Sequence, residues 1–298
     1  MTHHIATDRK ANLAGSAWMI AAMAVFAIED ALIKAASTML PVGEILVLFG
    51  LGGALAFATV ALINKQPLYN PDVVSRPMLI RVVFEVSGRL FYVLALSLIP
   101  LSAVTVILQA TPLVVVAGAA VVFGEKVGWR RWTVIFLGLV GVVVIIQPGT
   151  EGFSMLSLLA VLGMLGFAGR DLASRAAPAT MSTAILGLYG FISIIVAGGL
   201  YSAWQGVAFV MPDARISLYV LGAVLAGVTA YSCLMKAMRT GEVSAVTPFR
   251  YSRLLFGIAL GIVLFGERLS LAMAVGSGLI VVSGLFILWR GRQVSGRT

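Results

Sequence analysis

Charged residues recur within apolar stretches of this chain, where each costs ~2.5–3.5 kcal/mol to insert into a bilayer and therefore needs a reason. Arg81, Glu85 and Arg89 follow at i, i+4 and i+8, which places them on one helical face beside a stripe of Phe84, Gly88 and Tyr92. Arg250, Tyr251 and Arg253 come just after Pro248. Asp30/Lys34 and Asp171/Arg175 are i, i+4 pairs with the acidic residue first, the favourable order. A guanidinium presents paired donors in a planar fork and suits an anion, which a lysine cannot match. Glu85 would serve a cation, and Tyr92, Tyr231 and Tyr251 would add apolar walls with polar tips. Gln109, Thr111 and Pro112 supply the polar or kinking groups at a comparable depth in another run.

These residues also have structural readings. Arg81, Glu85 and Arg89 could neutralise one another for helix packing, and the two Asp-led pairs could fix helix ends. Glu125 and Glu267 read as loop or capping residues, Lys236 as a snorkelling helix-end cation, and Cys233 as packing. Enzyme chemistry has little support. The only histidines are His3 and His4, and there is no H-E-x-x-H and no G-x-x-x-x-G-K-[ST]. Gly276-Ser277-Gly278 has no histidine to partner its serine and reads as close helix packing. No cofactor or metal is expected.

What must position these groups is a set of membrane spans. Of the 298 residues 60% are hydrophobic and 11% charged, against about 25% charged in soluble domains. The net charge of +9 is spread between apolar runs, which argues against nucleic acid. Turn signals divide the chain into ten spans near 13–36, 43–63, 78–98, 102–122, 130–147, 154–176, 181–203, 216–238, 244–264 and 270–289. The run from Leu13 lacks a small-residue cleavage site and is kept as a mature helix.

The spans form two copies of one unit. Ala103–Glu125 returns as Ala245–Glu267 with nine of 23 positions identical, both copies ending Phe-Gly-Glu. Phe26–Ala36 likewise aligns with Phe167–Ala177, where Glu29 and Arg170 fall at equivalent positions with opposite charge. Arg250 and Arg253 match Leu108 and Thr111, so those charges belong to one copy only. Basic residues cluster at one set of span ends, which places both termini in the cytoplasm. Five spans per copy is odd, so the copies are inverted. The fold class expected is an all-α membrane protein of ten helices in two inverted five-helix repeats, 13–149 and 150–290, flanked by cytoplasmic tails 1–12 and 291–298. Asp30/Lys34 then fall towards the outside and Asp171/Arg175 towards the inside, where they could gate.

With ten spans and Phe-Gly-Glu closing the fourth and ninth, the chain resembles the drug/metabolite transporter superfamily with its EamA-type repeat, and within it the YddG-type amino-acid exporters. The resemblance implies a multi-pass monomer of a bacterial inner membrane that exports small metabolites without ATP. The cargo implied is amino acids, aromatic and other neutral ones, carried by alternating access through a central cavity. Another drug-like or sugar-linked metabolite, or a lipid-handling or scaffold role, are the alternatives. A zwitterionic cargo would need both its charges met in a low-dielectric cavity. The residues expected to bind it are Glu85, Arg89, Tyr92, Gln109, Tyr231, Arg250, Tyr251 and Arg253, with Asp30, Lys34, Asp171 and Arg175 as gates.

Overall fold

Long apolar runs punctuated by proline and glycine become helices in a computed structural model that describes residues 9–124, 127–147, 154–176, 178, 181–240 and 246–295. The helices are α1 (Arg9–Ala36), α2 (Val42–Ile63), α3 (Arg76–Leu98), α4 (Leu101–Leu108), α5 (Thr111–Val122), α6 (Trp129–Ile146), α7 (Ser157–Arg175), α8 (Thr183–Gln205), α9 (Ala214–Thr240), α10 (Ser252–Phe265) and α11 (Leu271–Ser295). Short 3-10 turns cover Pro71–Val74 and Thr247–Tyr251. Among the described residues there is no strand.

Seven of the resulting rods are long and apolar enough to cross a membrane, counting α4 with α5, and the Thr247–Tyr251 turn with α10, as one rod each. The apolar parts of α6 and α11, Trp132–Ile146 and Leu271–Phe286, are shorter. The tenth rod is α3, set apart by Arg76, Arg81, Glu85 and Arg89. Each of the ten expected spans corresponds to a helical rod, with ends among the described residues shifted by up to about six residues.

The pairing of rods reveals the symmetry. α1 packs on α9 and α3 on α7, while α2 packs on α8 and α6 on α11. Exchanging the halves, so that α1 becomes α7 and α3 becomes α9, returns the same set of contacts. The halves are therefore related by a pseudo-two-fold axis, and an odd number of spans per half makes the repeat inverted. Small residues allow the close crossings: Gly88 of α3 lies against the backbone of Gly166 in α7, and Gly141 of α6 against that of Gly276 in α11.

The fourth rod of each half departs from α-helix around equivalent positions, for different local reasons. In the first half Pro112 cannot donate to the Leu108 carbonyl and its ring would crowd it. The helix stops at Leu108, and the Thr111 hydroxyl donates to the Leu108 oxygen at 2.6 Å. In the second half a 3-10 turn with Pro248 near its start runs from Thr247 to Tyr251, the equivalent of Gln109, and α10 follows from Ser252. The two breaks meet. The Gln109 amide donates to the Arg250 carbonyl at 3.2 Å, and Gly257 of α10 lies over Thr105 of α4.

Candidate functional site

The charged residues gather around these breaks, in two groups. The first is built on Glu29 and Asp30, neighbours in α1 that reach different helices. Arg89 of α3 meets Glu29 at 2.5 Å, its guanidinium 4.5 Å above the Phe49 ring centre. Arg253 of α10 meets Asp30 at 2.6 Å and the Tyr92 hydroxyl at 3.2 Å, with the Phe26 ring 5.1 Å away. The Tyr92 ring stands edge-on to Phe167 at 5.3 Å. Both carboxylates are sealed in, with side chains 2% and 0% exposed. Such ions persist inside a protein only when paired and hydrogen-bonded.

The second group is a chain rather than separate pairs. Glu85 receives Arg81, one turn before it, at 3.3 Å and Arg170 of α7 at 3.4 Å. Arg170 also donates twice to its neighbour Asp171, at 2.8 and 3.0 Å. Arg81 donates to the Ser174 hydroxyl at 2.9 Å. Arg170 and Asp171 are 28% and 30% exposed, so this group borders open space. Tyr231 of α9 lies within its field.

Arg250 belongs to neither group. Among the described residues its guanidinium makes no ion pair and no hydrogen bond, although it is only partly exposed. It stands within the field of Asp171, Arg170 and Arg253. Among the described side chains the region thus holds five guanidiniums, those of Arg81, Arg89, Arg170, Arg250 and Arg253, against the four carboxylates of Glu29, Asp30, Glu85 and Asp171. The one left over is Arg250.

The expected residues are thus brought together, but often with other partners. Glu85 pairs with Arg81 as the i, i+4 spacing suggests, whereas Arg89 turns to Glu29. Asp30 and Lys34 do not form a pair. Asp30 is taken by Arg253, and the Lys34 ammonium donates to the Leu96 and Ile99 carbonyls at 3.0 and 2.6 Å. The last carbonyls of α3 have no partner within their helix, and a cation there is favoured by the helix dipole. The Arg175 side chain and Glu125 lie outside the described residues; Asp171 is held by Arg170. The Tyr251 hydroxyl is buried against Gly284 of α11 and, among the described residues, has no hydrogen-bond partner. Lys236 sits over the Trp18 ring at 4.0 Å, and Cys233 packs beside Met19 and Met23. Glu267 does cap a helix, but one of the other half: its carboxylate accepts from the Leu101 and Ser102 amides at 2.6 and 2.9 Å and from the Ser102 hydroxyl at 2.6 Å.

Sequence reasoning missed Glu29, Arg170 and Ser174 as members of the site. Their signal was the sign reversal between Glu29 and Arg170 at equivalent positions, which demands different partners in α3. No group of three or more His, Cys, Asp or Glu that could hold a metal occurs among the described residues.

A ten-rod inverted bundle with broken helices and ion pairs at its centre defines the class: a multi-pass membrane protein that moves small molecules. The EamA-like transporter family profile matches residues 13–147 and again 154–289. The chain belongs to the EamA-like transporter family. It is similar to the riboflavin transporter of Vibrio cholerae serotype O1, 26% identical over 293 residues and spanning 92% of this chain and 93% of that one. The S-adenosylmethionine uptake transporter of Rickettsia prowazekii is 23% identical, with 95% of each chain covered. The pseudopaline exporter CntI of Pseudomonas aeruginosa is 25% identical, covering 90% of this chain and 93% of that one. A crystal structure of a protein 21% identical matches with a TM-score of 0.62 over 92% of this chain and 96% of that one, which shows a common fold.

Proposed function

We propose that this protein carries small organic molecules bearing an anionic group across a plasma membrane, and that Arg250 receives that group. The observation that supports this is that, among the described residues, the Arg250 guanidinium has no partner, while its backbone carbonyl lies where the two fourth rods meet. An unpaired charge in such a place is costly, and a carboxylate or phosphate arriving with the cargo would neutralise it with paired hydrogen bonds. Arg89 and Arg253 already hold carboxylates and are structural on this reading. Amino-acid export is the specific form to test first. Relatives are named for riboflavin, S-adenosylmethionine and pseudopaline, in uptake as well as export, so neither cargo nor direction follows from relatedness. With both termini cytoplasmic, the Asn64 end of the bundle faces the cytoplasm and the Pro100 end faces away.

The test is flux of a labelled amino-acid panel, with carboxyl-methylated counterparts, in proteoliposomes. Arg250→Gln and Arg250→Lys should lower flux of the free acids by about 10–100-fold, the range expected for a lost charged hydrogen bond. The esters should be poor cargo for the parent protein. Equal flux of acids and esters, or an Arg250→Gln protein as active as its parent, would exclude Arg250 as the anion receptor.

A further inference from the structure

Resting on that reading of Arg250, we propose that the protein has a second subsite, which takes a flat, uncharged, hydrogen-bonding ring carried by the same cargo. It is a cavity of about 260 Å³ at the Asn64 end of the bundle, between α2, α8 and α9. Among the described residues, none of its lining side chains is charged. A charged head there would lose its water without gaining a partner. Its volume falls just below the ~300–1,000 Å³ usual for a whole drug-sized ligand, so it suits one part of a cargo.

The walls favour a ring. Phe57 and Tyr231 stand edge to face, their centres 5.2 Å apart and planes at 84°. Behind Phe57 the row continues to Phe191 at 5.6 Å and from there to Phe49 at 5.3 Å, on which Arg89 rests. This backing holds the wall in one orientation, the condition for offset or edge-on contact with another aromatic face. The rim supplies neutral polar groups. Ser182 donates to the Gln66 side-chain oxygen at 2.7 Å, which orients the Gln66 amide and leaves its N–H groups as donors. Asn64 spends one amide N–H on the Val60 carbonyl and keeps its own oxygen as an acceptor. An aliphatic group would leave these unmatched, whereas a ring with polar edge atoms would not.

The cavity also borders the charged centre. Tyr231 lies in the field of Arg81, Arg170, Glu85 and Asp171, and the Arg81 and Glu85 side chains lie beside Gly190 of α8, a helix that also lines the cavity. A ring against Tyr231 would therefore carry its anionic end towards the charged centre.

The experiment is isothermal titration of the full chain in detergent with indole-3-acetate, cyclohexylacetate and acetate. The three share one anion, and only the first has a flat ring with an N–H edge. Indole-3-acetate should bind about tenfold or more tighter than cyclohexylacetate, the scale of a good aromatic contact. Ser232→Trp, which fills the cavity from an exposed position on α9, should abolish that preference and leave acetate binding intact. Gln66→Leu should reduce the preference without changing cyclohexylacetate, and it decides the matter if the tryptophan variant fails to fold. No preference in the parent, or a preference that survives both variants, overturns the ring subsite. Loss of the ring preference in these variants, with all three anions indifferent to Arg250→Gln, overturns the anion reading and leaves the subsite standing.

Discussion

Glu29-Asp30 in α1 and Arg170-Asp171 in α7 occupy equivalent places in the two halves, yet they solve the burial of charge differently. The first pair sends each carboxylate to its own arginine on another helix and is closed to solvent. The second shares its charges along Arg81–Glu85–Arg170–Asp171 and is about 30% exposed at its open end. The cause is the fourth rod. Asp30 finds Arg253 there, but at the equivalent position Asp171 would find only Thr111, and it turns to its own neighbour instead. An inverted repeat with unequal charges thus has one tight flank and one adaptable flank, with Arg250 beside the adaptable one.

The difference can be broken in order of size. Asp30→Ala strands a buried Arg253, and should cost about 3–5 kcal/mol, the usual penalty for removing one partner of a buried pair. Thermal unfolding in detergent would show it, and exchanging the two charges in an Asp30→Arg, Arg253→Asp protein should recover part of the loss. Asp171→Ala is the matched change on the other flank. Arg170 keeps Glu85 and reaches solvent, so the cost should be under about 1 kcal/mol. Equal losses from the two variants would mean that the flanks do not differ in kind. Arg250→Gln should have the smallest effect on stability, unchanged or slightly raised, since no hydrogen bond of its side chain is given up. A clear drop in its unfolding temperature would show that Arg250 has a structural partner after all.

The architecture was legible because membrane spans announce themselves by length, and an odd-numbered repeat allows only inversion. Which residues would gather was legible too, since charge inside a span is rare. Who would pair with whom was not. Sequence spacing proposes i, i+4 partners, and it succeeded for Arg81 and Glu85. It failed for Asp30 and Lys34, because a charge-assisted contact across helices outweighs one worth a few tenths of a kcal/mol along a helix. The broken rods were visible as Thr-Pro and Pro-Phe, but their alignment across the halves required the fold. Phe57 and Gln66 had no signal, being an apolar residue within an apolar run and a polar one in a loop.

The Asp30–Arg253 bond spans 223 residues, while Glu29–Arg89 spans only 60. At ~5–20 residues per second, a ribosome makes Arg253 roughly 10–45 s after Asp30. Throughout that interval one acid of the α1 doublet can already be neutralised and the other cannot. Nascent chains should therefore pass through a stage in which Asp30 is wet or held by a helper, and synthesis of α10 is the moment at which the centre closes.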